Sequence, residues 1–218
     1  MLNFLRTMSI KNKIKTLSFF PLVFIIGMSF YIDMNLYNKQ SKLVDVKEII
    51  DLNERISLLL HETQKERGIT SVFLGTKGAK FKDTLITQKE LTNKNIEEFK
   101  KTINKISVEK YPENGKNLID NVLKELSSIQ NIRSDVDSLA IDAKKAIAYY
   151  TDLNATLLSF VALTSTIADS ESTIKSIIAY YNFLMAKERA GIERAVGSNT
   201  FASKTFASGM FVKYLGLV

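Results

Sequence analysis

The stretch HETQKERGITSVFLG, residues 61–75, places an arginine where a packed helix is expected to be apolar. The heptad pattern that begins at Val46 and Ile49 passes through Leu60 and then reaches Arg67. A guanidinium is planar and permanently charged, and its paired donors match small planar oxyanions and carboxylates. We therefore expect Arg67 to hold an anion, either a bound ligand or an internal carboxylate.

A second stretch, KERAGIERA at residues 187–195, repeats the order Lys-Glu-Arg followed by Gly and Ile. The heptad of this segment puts Glu188 on the inward stripe, with Arg194 beside it. A glycine within a helix costs about 1 kcal/mol relative to alanine. Gly68 and Gly191 therefore indicate that a helix or a ligand approaches the backbone closely at these positions.

Two interpretations of the charged residues follow from their spacing. In the first, Arg67 and Arg194 clamp one small anion between their helices. In the second, both arginines form internal salt bridges, Arg67 with Glu188 and Arg194 with Glu62 or Glu66. Spacing alone favours the salt bridges, which are common and contribute little net stability relative to apolar packing.

Long helices are expected to position both stretches, because the chain has only 2 Pro and 9 Gly and no sustained strand-like alternation. The apolar periodicity predicts helices over about 41–75, 81–106, 143–167 and 171–196, with Gly197 ending the last of these and a further helix beginning near Thr200. Another helix is predicted between the loop at 111–115 and a weakly marked break near 138–142. Short connections make neighbouring helices antiparallel. The first and fifth helices then point the same way, and the two arginine stretches share the membrane-distal end of the bundle.

A charge-free apolar run at residues 16–32 is long enough to span a bilayer, at the short end of the range. Residues 1–15 carry four basic residues and no acid, so they are predicted to be cytoplasmic. We predict a signal anchor over 16–33 in the cell inner membrane, with lipid as a partner, and an extracytoplasmic domain over 41–218. A cleaved signal peptide is the alternative, but no A-x-A-like site follows the run. The predicted fold class is all-α, a transmembrane helix followed by an extended up-down bundle.

Several function classes are disfavoured by composition. The net charge is +7, but much of it lies in the first 15 residues, so we expect no nucleic-acid partner. The chain has no cysteine and one histidine, His61, so we expect no metal site and no cofactor. There is no clustered catalytic constellation and no Gly-rich phosphate loop, so we expect no enzymatic activity and no catalytic residues.

The motifs also carry a family resemblance. The segment QKERG at 64–68, with Ser71 and Leu74 behind it, resembles the first signature of the nitrate- and nitrite-sensing (NIT) domain family, and KERAGIERA resembles the second. Arg133 and the Tyr-Thr pair at 150–151 stand where that family tends to have Arg and Tyr-Thr. The resemblance covers about residues 45–218. It implies an extracytoplasmic helical sensor that binds nitrate or nitrite and signals across the membrane.

Carried over by position, the resemblance makes Arg67 and Arg194 the candidate anion ligands, with Arg133, Arg189 and Gln64 ranked below them. It favours the anion site over simple salt bridges. Family members feed chemoreceptor, kinase, cyclic-dinucleotide or antiterminator outputs. The sequence stops before the rest of the domain, a second span and any output module, so we expect an incomplete sensor domain.

The function predicted from these observations is sensory input to a transmembrane receptor, acting in chemotaxis, in which an anion between two helices displaces one of them. A homodimer is expected. One rival is a helical interaction or dimerisation module whose arginines form internal salt bridges. A second rival is a sensor of another small ligand, such as an amino acid or an organic acid.

Overall fold

The computed structural model describes residues 9–106, 111, 113–168 and 170–217. These ranges contain helices and no strand, which confirms the predicted all-α class. The helices are α1 (Ile10–Gly75), α2 (Lys82–Ile103), α3 (Glu113–Asp137), α4 (Ala143–Thr164), α5 (Glu171–Ser203) and α6 (Met210–Leu215).

The N-terminal unit of the chain, residues 1–45, contains the first part of α1. Its segment Ile10–Tyr37 is long and apolar enough to cross a membrane, and none of its most apolar stretch is buried within the chain. Pro21 lies inside this helix without interrupting it. The sequence predicted that the first bundle helix starts near residue 41, and this start is wrong, because α1 runs without a break from Ile10 to Gly75.

The second unit, from Val46 onward, is a helical bundle with one main apolar core. Apolar side chains spaced three and four residues apart form one stripe on each helix, and burying these stripes against each other stabilises the bundle. Helices α1 to α5 all contribute, through residues that include Leu52, Ile56, Leu60, Phe99, Ile103, Val122, Leu126, Leu153, Leu157 and Leu184. Helix α4 is also long and apolar enough to span a membrane. More than half of its most apolar stretch is buried in the bundle, as expected of a core helix.

The relative direction of α1 and its neighbours follows from the order of their side-chain hydrogen bonds. The partners on α4 come in reverse order along the chain, so α4 is antiparallel to α1. The partners on α5 come in the same order, so α5 is parallel to α1, as the alternating topology predicts. The bonds are Asn53–Thr164 and Thr63–Asn154 for α4, and His61–Lys187 and Ser71–Asn199 for α5. The two arginine stretches therefore lie side by side.

The sequence indicates the start of α5 correctly but not its end. Ser170 caps the N-terminus by accepting a bond from the Thr173 amide at 3.0 Å. The predicted stop at Gly197 is wrong, since the helix continues to Ser203. Asn199 explains the continuation, because its side chain donates to the Ser71 carbonyl on α1 at 2.8 Å. The last helix accordingly begins at Met210 rather than near residue 200.

Candidate functional site

Two consecutive residues of α1, Glu66 and Arg67, are fully buried and carry opposite charges. Buried charges need a partner, because removing them from water is costly. Each of the two finds its partner on a different helix, Glu66 on α3 and Arg67 on α5. The polar centre of the bundle is thus built from two ion pairs that share one stretch of α1.

The first pair joins Glu66 to Arg133 in a bidentate arrangement. The Arg133 Nε donates to Glu66 Oε1 at 2.7 Å and its Nη2 donates to Oε2 at 2.8 Å. The Tyr150 hydroxyl adds a bond to Oε1 at 2.7 Å, and Arg133 Nη1 donates to Asn93 at 2.6 Å. Burial, and next the charge of Glu66, raises the pKa of Tyr150 well above its usual value. The charges of Glu66 and Arg133 are thus paired and hydrogen-bonded within the protein, as in a structural ion pair.

The second pair joins Arg67 to Glu188, whose carboxylate lies against the end of the guanidinium. Arg67 Nη1 donates to Oε1 of Glu188 in a short contact, and Nη2 donates to Oε2 at 3.2 Å. Gln64 and Asn154 donate to the same Oε2, at 2.7 and 3.2 Å. Thr151 accepts a bond from Nη1 at 3.1 Å. Donors from α1 and α4 therefore converge on one planar oxyanion supplied by α5.

One donor of the Arg67 guanidinium is not used in this arrangement. Its Nε is buried and has no hydrogen-bond partner among the residues that the structure describes. A buried donor without a partner costs about 1–3 kcal/mol. The carboxylate of Glu188 therefore neutralises Arg67 without satisfying all of it. Chemically, the cluster can hold a small planar oxyanion by two parallel N–H···O bonds.

The two glycines predicted to allow close approach differ. A Cβ added at Gly191 would stand 2.7 Å from Arg67 Nη2, so the guanidinium lies directly on the backbone of α5. The close approach predicted at Gly68 is not found, because a Cβ there would meet no described atom within 4 Å. The difference follows from orientation, since Gly191 is buried beside Arg67 and Gly68 is only half-buried.

Two of the predicted arginine ligands lie outside the buried cluster. Arg194 and Arg189 are exposed. The predicted pairing of Arg194 with Glu62 or Glu66 is also not found, because Glu62 bonds to Lys65 at 2.9 Å and Glu66 is held by α3.

Arg194 is instead an exposed cation whose charge acts on Lys187, close to the cluster. The Lys187 ammonium lies 3.2 Å from Nδ1 of His61. Burial, and next the positive charge of Lys187, lowers the pKa of His61. Burial, and next the charge of Arg194, lowers the pKa of Lys187. Lys187 and Arg194 therefore place two positive charges near the Arg67–Glu188 pair, whereas the lowered pKa of His61 favours its neutral form.

Reasoning from sequence noted Thr151 only through the family resemblance and gave no role to Asn154. Both are polar residues on the largely apolar helix α4, and Asn154 is fully buried. Their spacing with Ile147 and Leu158 follows the inward stripe, and this signal could have found them. The described residues hold no group of three or more His, Cys, Asp or Glu side chains that could bind a metal ion.

The fold and this cluster define a class of protein, an all-helical bundle with an oxyanion held on a buried arginine. Residues 58–218 match the profile of a family described as nitrate and nitrite sensing (NIT), and the chain belongs to that family. This is a family of sensors rather than of enzymes.

Comparison with solved structures supports the fold. The structure of the NasR transcription antiterminator matches with a TM-score of 0.73 at 20% sequence identity. The match covers 88% of this chain and 56% of the NasR chain, so the present sequence spans little more than half of that protein's length. No curated protein shows a significant match.

Proposed function

We propose that this chain is the sensory input region of a transmembrane receptor and binds nitrate or nitrite at Arg67. One observation carries the proposal. The fully buried guanidinium of Arg67 already holds a planar oxyanion, the carboxylate of Glu188, through Nη1 and Nη2. Nitrate and nitrite are planar oxyanions that suit the same fork. Membership of the nitrate- and nitrite-sensing family supports this class of ligand.

The neighbouring side chains supply the rest of the proposed site. Gln64 and Asn154 offer neutral donors at the same place, and the Thr151 hydroxyl accepts a bond from Arg67 Nη1 and so helps to orient the guanidinium. Arg194 and Arg189 are exposed, so we assign them to attracting the anion from solvent rather than to holding it.

Arg133 acts indirectly in this proposal. Its guanidinium is occupied by Glu66, the residue that precedes Arg67 on α1, so it fixes the orientation of the helix that carries the main ligand.

Signalling across a membrane is the second part of the proposal. The apolar segment Ile10–Tyr37 suits a membrane span by length and composition, and α1 runs without a break from Ile10 to Gly75. We place residues 1–15 in the cytoplasm, the anchor at 16–33, and residues 41–218 outside. An anion that changes how α1 and α5 pack would then move a helix that enters the membrane, in a homodimer whose output is chemotaxis.

Binding is tested by isothermal titration of the full chain in detergent with sodium nitrate and sodium nitrite, with sodium chloride at equal ionic strength as the reference. We expect saturable heat with wild type and none with Arg67→Lys, because an ammonium cannot form the paired bonds of a guanidinium. Arg189→Lys, an exposed arginine on α5, is the matched control and should bind as wild type does. Absence of heat and of thermal stabilisation in wild type would contradict the proposal. Acetate and amino acids in the same assay test the alternative ligands.

The orientation is tested separately, since the chain has no cysteine and can be labelled at single introduced ones. Ser9→Cys should react with a membrane-impermeant maleimide only after the cells are opened. Lys116→Cys should react in intact spheroplasts. The reverse pattern, or equal labelling of both, would refute the proposed topology.

The rival function, an interaction module without a small ligand, has one observation in its favour. The Arg67–Glu188 pair is already neutral, and Gln64 and Asn154 add two bonds to its carboxylate. In that case Arg67→Lys lowers thermal stability, but no anion stabilises wild type. The titration above therefore separates the two functions.

A further inference from the structure

We propose that Glu188 is a tethered competitor, whose carboxylate occupies the place in which the anion binds Arg67 and which the anion must displace. The inference rests on the proposed function and adds a residue that sets the affinity of the same site. Its starting point is geometric. Glu188 presents two coplanar oxygens to Nη1 and Nη2 of Arg67, as one edge of nitrate or nitrite would.

Charge balance does not allow Glu188 and a bound anion to occupy Arg67 at the same time. Arg67 contributes one positive charge to the buried cluster, and Glu188 neutralises it. The nearby Arg133 is engaged by Glu66 and supplies no spare charge. A second anion on Arg67 would face an unpaired negative charge at close range in a poorly screened interior. One of the two anions must therefore leave the guanidinium.

The donors around the carboxylate are suited to an exchange. The amides of Gln64 and Asn154 donate to Glu188 but are neutral, so they serve any oxyanion in that position. Arg67 Nε has no partner among the described residues while Glu188 is bound. An anion in the place of the carboxylate accepts the same bonds from Nη1, Nη2, Gln64 and Asn154. Exchange therefore leaves these donors no worse satisfied, and Nε remains available to an anion that is not tethered to a helix.

The displaced carboxylate has charged neighbours at the surface. Lys187 precedes it on α5, and the charge of Glu188 acts on that ammonium. Arg194 lies on the exposed side of the same helix and its charge also reaches Lys187. Released from Arg67, Glu188 turns toward these cations and exchanges a buried pair for an exposed one.

Tight packing limits which anions can make this exchange. Arg67 lies against the backbone of α5 at Gly191, since a Cβ added there would be only 2.7 Å from Nη2. The guanidinium therefore has no room to move closer to α5. The space vacated by Glu188 is that of a carboxylate group. A small planar anion fits this space better than tetrahedral sulfate or phosphate does. The volume of the Glu188 carboxylate therefore sets the size of the anion that can replace it.

The test compares nitrate binding by three variants of the full chain with wild type, by titration in detergent. Glu188→Gln keeps the shape but removes the charge, and a bond to a neutral group is about half as strong as one to an ion. We expect its nitrate affinity to rise about tenfold. Glu188→Asp keeps the charge but shortens the reach, so a smaller rise is expected, and it also covers the case in which glutamine prevents folding. Glu193→Gln, the same change further along α5, is the matched control and should leave affinity unchanged.

The outcomes separate this inference from the function on which it rests. If wild type binds nitrate through Arg67 and neither Glu188 variant binds more tightly, Glu188 is not a competitor and the proposed function stands. If nitrate binds neither wild type nor the variants, both proposals are wrong. Tighter binding by Glu193→Gln as well would assign the effect to net charge and overturn the inference.

Discussion

Replacing Gly191 by alanine tests how closely Arg67 approaches the backbone of α5. The new Cβ would stand 2.7 Å from Arg67 Nη2, so the guanidinium must retreat by about 0.7 Å to reach ordinary contact distance. The Nη2 bond to Glu188, now 3.2 Å, does not survive that movement. Losing a bond to a charged group costs about 1.5–3 kcal/mol. The higher helix propensity of alanine offsets about 1 kcal/mol of this loss in stability.

The expected net effect of Gly191→Ala is therefore a loss of about 0.5–2 kcal/mol. At about 2–4 °C per kcal/mol for a chain of this size, the melting temperature falls by about 1–8 °C. Gly68→Ala is the matched control, since Gly68 also lies inside a helix but faces open space. It should raise the melting temperature by about 2–4 °C. Circular dichroism at 222 nm on the full chain in detergent measures both. Equal shifts of the same sign would refute the close approach at Gly191.

Three further predictions concern polar side chains of the bundle. Tyr150→Phe removes a bond to a charged carboxylate and should cost about 1.5–3 kcal/mol, whereas Tyr149→Phe removes one to a backbone carbonyl and should cost about 0.5–1.5 kcal/mol, in thermal melts. Burial raises the pKa of Glu125, so wild type loses stability as the pH rises through that pKa; Glu125→Gln should therefore stabilise at pH 7, with the gain vanishing in acid. Arg67→Met alone should cost about 3–5 kcal/mol by leaving Glu188 buried and unpaired, and adding Glu188→Leu should restore most of this while nitrate binding stays absent. A double variant as unstable as the single one would contradict that account.

The architecture of the bundle could be predicted from sequence because burial follows periodicity. The inward stripe of α1 identified Arg67 as buried, and that of α5 identified Glu188, before any coordinates. The end of α5 could not be predicted, because glycine is only a local stop signal. A single tertiary bond from Asn199 to the Ser71 carbonyl outweighs it at Gly197.

Which charged residues pair with each other in the site could not be predicted from the sequence. Arg194 precedes the buried Ala195 by one residue, which turns it about 100° away from the stripe. A residue at the edge of a stripe is buried or exposed according to the neighbouring helix, and here it is exposed. Likewise, spacing shows that Arg133 points inward but does not give the register between α3 and α1 that brings it to Glu66.

The adjacency of Glu66 and Arg67 determines which helix is free to respond to an anion. Consecutive residues on a helix point about 100° apart, so one pair ties α1 to α3 and the other ties it to α5. Displacing Glu188 breaks the ion pair with α5 and leaves the bond from Asn199 to Ser71, while Arg133 and Tyr150 continue to hold Glu66. Helix α1 therefore stays linked to α3 and α4, and the exchange changes its packing against α5. If the proposed exchange occurs, hydrogen exchange should increase on α5 around residue 188 upon nitrate addition, and the amides around Glu66 should stay protected.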